Sequence, residues 1–105
     1  MLNSLELDII DALKDDYYGI WEFDWRLNYL GFDQDRAARI KLLSELVAKD
    51  CVDIYYGRLA DRSVEPLSKD EALNSINKLA NWKPRTDVNA STLFLATKTD
   101  NADCR

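Results

Sequence analysis

The chain has 105 residues, enough for one domain with a modest core, and 47% of them are apolar. Its formal charge is −5, from 19 acids against 14 bases, and it has no histidine. It therefore lacks the basic excess with which nucleic-acid binders neutralise phosphate, the usual general base near neutral pH and the commonest transition-metal ligand.

The charge is uneven. Residues 1–33 hold eight acids and two bases, residues 34–62 five acids and six bases, and residues 63–105 six of each. No apolar run reaches membrane length, and no basic segment followed by a long apolar stretch opens the chain, so a cytoplasmic protein with no membrane partner is expected. Cys51 and Cys104 are too few and too far apart for a disulfide framework or a zinc site, and both are expected to be free thiols in a reducing compartment. Three scattered glycines give no phosphate-cradling loop. The tight carboxylate pairs, Asp15 with Asp16 and Glu22 with Asp24, read as solvated surface. The expectation is a protein that is not an enzyme, with no catalytic residues, no cofactor and no metal.

Residues 1–105 read as a single domain with a polar tail at about 98–105. Asn3 and Glu6 have the spacing of a capping box, with Asn3 or Ser4 as the cap. Leu5, Ile9, Ile10 and Leu13 form the buried stripe of the first helix, and Glu6, Asp8, Asp11 and Lys14 lie elsewhere on it. Asp15 to Gly19 breaks the pattern. Ile20 to Asn28 then fits two periods. Trp21, Phe23, Trp25 and Leu27 alternate with Glu22, Asp24 and Arg26 as in a strand, whereas Ile20, Phe23 and Leu27 with the Trp21–Trp25 pair suit a helix.

Asp33 to Gly57 is the organising stretch. Ala37, Ile40, Leu43, Leu46 and Val47 recur at helical spacing, and Asp33 can cap the start. The helix is expected to stop near Lys49–Asp50, with Asp50 in the left-handed conformation that closes a helix. Val52, Ile54 and Tyr56 then alternate with Cys51, Asp53 and Tyr55 as a half-buried strand, and Gly57 reads as a turn.

The run LLSELVAKDCVDIYYG, residues 42–57, resembles the third helix and first wing strand of a winged-helix domain, with Asp50 where that pattern usually has glycine. The resemblance covers about a quarter of the chain. It implies an α+β fold in the order α-α-α-β-α-β with a small two-stranded antiparallel sheet, and it favours a helix at 20–28.

In that frame Arg58 to Pro66 is a polar loop at the place of the wing tip. Arg58 and Arg62 are the residues there that reach phosphate in a DNA-bound wing, although beside Asp61 and Glu65 they also read as a solvated turn. Ser68 and Glu71 form a second capping box, S-K-D-E, before a helix burying Ala72, Leu73, Ile76, Leu79 and Ala80. Asn81 to Pro84 ends it. The resemblance thus has a helix inserted between the wing strands. Residues 86–91 read as loop. Thr92 to Thr97 is the closing strand, expected to pair with Cys51–Tyr56.

Two functional expectations follow. The first is an acidic protein-binding module, in the manner of immunity or antitoxin proteins, for a partner that is itself basic. Its candidate contacts are Asp16, Tyr17, Tyr18, Trp21, Glu22 and Trp25, aromatic anchors rimmed by acids. The same aromatics also read as core filling. The second, implied by the resemblance, is a DNA-binding transcriptional regulator using Arg36, Arg39 and Lys41 on the third helix, with Arg58. Protein is preferred over DNA because so little base-reading charge is present. A homodimer through the first helix is open.

Overall fold

A computed structural model describes residues 3–13, 18–58, 63–83 and 91–97. Helix α1 spans Ser4–Leu13, strand β1 Tyr18–Gly19, α2 Ile20–Tyr29, α3 Arg36–Ala48, β2 Val52–Arg58, β3 Ser63–Pro66, α4 Lys69–Ile76 and β4 Thr92–Thr97, with a 3-10 turn at Leu79–Trp82. The architecture is α+β. Four helices pack with a small antiparallel sheet of three strands, extended at one edge by the two-residue β1, in the order β1-β4-β2-β3.

Each helix boundary has a local cause. Asn3 Oδ1 accepts from the Glu6 amide at 2.8 Å and Glu6 Oε1 from the Asn3 amide at 3.1 Å, so the expected box opens α1. Helix α2 is the helical one of the two patterns, with Ile20, Phe23 and Leu27 buried at helical spacing. It ends with Gly31 at φ +82°, where Gly31 N–H donates to Asn28 O and Phe32 N–H to Leu27 O. Helix α3 ends with the same pair of bonds, from Asp50 N–H to Val47 O and Cys51 N–H to Leu46 O, and Asp50 takes φ +60° as expected. Its start is corrected. The cap is Asp35, which accepts from the Ala38 amide at 3.0 Å, not Asp33.

The core is built from Ile9, Ile10 and Leu13 of α1, Ile20, Phe23 and Leu27 of α2, Leu43, Leu46 and Val47 of α3, and Ile54 and Leu95 of the sheet. Two polar groups of the helices are drawn into it. Glu6, expected off the buried stripe, is buried and paired with Lys49 Nζ at 3.1 Å. Arg39 replaces Ala37 on the buried face of α3, and Ala37 is exposed.

The sheet corrects the expected two strands. β4 pairs with β2 as foreseen, with Val52 opposite Thr97, Ile54 opposite Leu95 and Gly57 opposite Thr92. The polar stretch after Gly57 does not stay a loop. Ser63 to Pro66 forms β3 on the other side of β2, with Arg58 opposite Ser63 and Tyr55 opposite Pro66. Pro66 lacks an N–H and is tolerated because β3 is the edge. Gly57 lies inside this hairpin at φ +152°, not in a turn. A Cβ there would sit 1.9 Å from the Ser63 carbonyl oxygen, so only glycine lets the two backbones meet. Tyr56, expected inward with Val52 and Ile54, is 44% exposed because it lies on the part of β2 that forms the hairpin.

Helix α4 opens on the expected box, with Ser68 Oγ accepting from Glu71 N–H and Glu71 Oε1 from Ser68 N–H. It stops at Ile76, earlier than the apolar spacing implies. Three side chains take its last carbonyls: Asn77 Nδ2 donates to Leu73 O, Asn81 Nδ2 to Ser75 O and Trp82 Nε1 to Ile76 O. The 3-10 turn that follows points Trp82 inward and Leu79 outward, so Leu79 and Ala80 are exposed rather than buried.

The expectation of free thiols is also corrected for Cys51, which is fully buried at the α3–β2 corner and is disulfide-bonded. Cys104, the other cysteine of the chain, lies outside the described residues. A disulfide removes one reason for assigning a reducing compartment. Among the described residues no helix is long and apolar enough to cross a membrane.

Candidate aromatic and arginine site on the second helix

The aromatic residues of the first half divide between core and surface. Phe23 is buried and meets the buried Trp82 ring at 5.9 Å between centroids. Trp25 and Tyr29 face outward, 62% and 70% exposed. They lie four residues apart on α2 and stack, with centroids 6.1 Å apart and planes 23° from parallel. The Arg26 guanidinium lies over the Tyr29 ring at 5.1 Å. Trp21, one turn before Trp25, is half-buried and lines a groove with Asp24, Arg36, Leu79, Trp82 and Lys83.

Of the acids of the expected contact set, Glu22 is used inside the fold. Glu22 Oε1 accepts from the Gly19 amide at 3.1 Å and holds the start of α2. Asp16 and Tyr17 lie outside the described residues, as do Asp15 and Arg62, and for Tyr18 the backbone alone is described, in β1. So of the six expected contacts, Trp21 and Trp25 remain as surface or groove residues and Glu22 is a cap.

Asp24 is the hub of the site. Its Oδ1 accepts from Arg39 Nη1 at 2.6 Å and lies 2.8 Å from Arg36 Nη1. Burial alone would raise its pKa, but the close contacts and positive charges of Arg36 and Arg39 outweigh this, and the carboxyl is held below the ordinary aspartate range. The second pair is an ion pair by distance, but the N–H groups of Arg36 Nη1 are not aimed at the oxygen. This buried nitrogen therefore has no hydrogen-bond acceptor.

Of the four arginines and lysines expected to touch DNA, Arg39 is withdrawn from that role. It is buried, and all five of its N–H donors are used: Nε on Gln34 O, Nη1 on Asp24 O and Oδ1, and Nη2 on Asn28 Oδ1 and Phe32 O. It fastens α2, the connecting turn and α3 together. Arg36, three residues earlier, has its side chain 39% exposed and lies over the Trp82 ring at 4.9 Å. Lys41 is exposed on α3, and Arg58 is half-buried at the end of β2. The four do not form one surface cluster. Among the described residues no group of three or more histidine, cysteine, aspartate or glutamate side chains is placed to hold a metal ion.

Comparison with protein families, with characterised proteins and with solved structures finds no match for this chain. The function is therefore argued from the site itself.

The expected contact set leaves out Tyr29, although its spacing from Trp25 places the two rings together. It also leaves out Leu79, Trp82 and Lys83, which line the groove. Leu79 continues the apolar period of α4, and nothing in that period signals that three side-chain caps end the helix first.

Proposed function

We propose that this chain is a non-catalytic protein-binding module built on a winged-helix-like arrangement, and that the outward face of α2 is its contact surface. The observation that carries the reading is the exposed Trp25–Tyr29 stack with Arg26 over it. Tryptophan, tyrosine and arginine dominate interface hot spots because each offers a large rigid apolar area with a polar end. A rigid helix that leaves two large rings mostly in water gains little from burying them, whereas a partner that covers them gains from both. The winged-helix-like reading draws support from three helices followed by the β2–β3 hairpin, and from α2 and α3 joined by a turn that Arg39 fixes.

The DNA-regulator alternative draws less support. Of the three basic side chains on α3, Arg39 is used internally and Arg36 is shared with Asp24, which leaves Lys41. Phosphate binding needs a denser footprint than this.

The test is affinity capture with tagged wild type and a Trp25→Ala/Tyr29→Ala variant, each with and without nuclease. A nuclease-resistant protein retained by wild type and lost from the variant is the expected result. Replacing a central tryptophan is expected to weaken such a complex by about 2 kcal/mol or more, roughly thirtyfold in Kd. Equal recovery by both proteins, or recovery of DNA alone, sinks the reading.

A further inference from the structure

Among its described lining residues, the groove that begins at Trp21 has a charge opposite in sign to that of the chain. It encloses about 430 Å³, within the range of ligand-sized clefts, and is lined by Trp21, Asp24, Arg36, Leu79, Trp82 and Lys83. The protein carries −5 overall. Among the described lining residues the one carboxylate, Asp24, is shared between Arg36 and the buried Arg39, and Glu22 on the same helix accepts from the Gly19 amide. Lys83 is exposed and has no acidic partner among the described residues. Two guanidiniums and one ammonium thus face one carboxylate. The charge left over is positive, and the exposed part of Arg36 and Lys83 present it.

The apolar part of the groove is equally defined. Leu79 is 62% exposed on its rim, and the Trp21 and Trp82 rings form its walls, with Arg36 lying over the latter. Arg36 is held in place by the Asp24 carboxylate and by stacking on the Trp82 ring, while 39% of its side chain stays exposed.

We propose that this groove takes a carboxylate on a partner protein, an aspartate or glutamate side chain flanked by an apolar residue. The carboxylate meets Arg36 and Lys83, and the apolar neighbour covers Leu79 and Trp21. This deepens the protein-binding reading and rests on it, and it reverses the basic partner that net charge alone implies. A carboxylate fits better than a phosphate dianion, because phosphate sites gather several free arginines and the described lining of this groove has one, already shared.

The probes are three short capped peptides, acetyl-Gly-Leu-Asp-Leu-Gly-amide and its Asn and Lys counterparts, with the phosphoserine version as a fourth. Each is titrated into ¹⁵N-labelled full chain while the three indole N–H resonances are followed. The Asp peptide is expected to shift the Trp21 resonance saturably, and the Asn peptide is expected to bind several-fold more weakly. Lys83→Ala and Leu79→Ala change exposed side chains that the fold does not use, and each is expected to weaken the Asp peptide by about three- to tenfold. No saturable shift at millimolar Asp peptide overturns the proposal, as do equal shifts from Asp and Asn peptides. A preference for Lys or phosphoserine also overturns the carboxylate assignment but leaves the protein-binding reading standing. That reading is judged separately by capture with the Trp25/Tyr29 variant.

Discussion

Arg39→Ala is the substitution that most directly tests how this fold is held. Arg39, on α3, is 9% exposed, and its five donors reach three acceptors on α2 and two in the turn at 32–34. Truncation removes all five bonds and leaves the Asp24 carboxylate without its closest partner. Breaking a buried charge pair by deleting one member costs about 3–5 kcal/mol when the survivor stays dry. Here the Asp24 side chain is 20% exposed and keeps Arg36, so part of that penalty is relieved by water and by the second guanidinium. Two of the lost acceptors, the Phe32 and Gln34 carbonyls, lie in the turn before α3, where water replaces the arginine at small cost, and the third carbonyl, Asp24 O, lies within α2. A loss of about 3 kcal/mol is the resulting expectation. A domain of this size has roughly 5–15 kcal/mol in total, so the shift in Tm is on the order of 10–20 °C. Urea unfolding followed by tryptophan fluorescence measures it, and an unchanged m-value shows that the change lies in stability. Arg39→Lys is expected to recover only a minor share, because an ammonium cannot satisfy the forked geometry. A loss below about 1 kcal/mol for Arg39→Ala would place Arg39 among ordinary surface ion pairs and refute the reasoning.

Gly57→Ala is expected to cost several kcal/mol, since the methyl group collides with the Ser63 carbonyl and the residue sits at φ +152°; a variant within about 0.5 kcal/mol of wild type in the same urea assay contradicts the hairpin. Ser68→Ala removes a helix cap and is expected to cost about 1 kcal/mol, checked by thermal unfolding. The depressed Asp24 pKa sets a pH dependence. Its contribution to stability is full above the unfolded aspartate value, about 4, and is lost as pH falls through the lower folded value. Asp24→Asn should therefore be less stable than wild type at neutral pH, with the gap closing in strong acid; a constant gap would rule this out.

Much of the fold is legible because its signals are local. The Asn3–Glu6 and Ser68–Glu71 boxes, the left-handed Asp50 and the alternation of β4 each follow from a few adjacent residues. What is not legible depends on contacts distant in sequence. Gly57 looks like a turn, because the close approach of Ser63 that requires glycine is a tertiary fact. Ser63–Pro66 is too short and polar to read as a strand, and pairing with β2 supplies what its composition lacks. Arg39 looks like a surface base because arginine usually is one. Its burial requires acceptors from Asp24 and Asn28, fifteen and eleven residues away. The site was half legible for the same reason. The aromatic spacing on α2 is visible in the sequence, but the diversion of Glu22 and Asp24 into caps and ion pairs is not.

The fold's strongest polar joint and its candidate site share one residue. Arg36 and Arg39 are three apart on α3, so they lie on neighbouring parts of one face, and both reach the same oxygen of Asp24. Arg39 takes the inner position and is spent on structure. Arg36 takes the outer one and is held by the same carboxylate and by the Trp82 ring, with part of its guanidinium left to the groove. A long side chain on a surface helix ordinarily loses rotamer freedom when a ligand fixes it. Here the fold has already fixed it, because moving Arg36 disturbs Asp24, and moving Asp24 disturbs the α2–α3 joint. The groove is therefore preorganised by the interactions that stabilise the domain. Substitutions at Asp24 are expected to weaken stability and binding together, whereas Lys83 and Leu79, which the joint does not involve, separate the two.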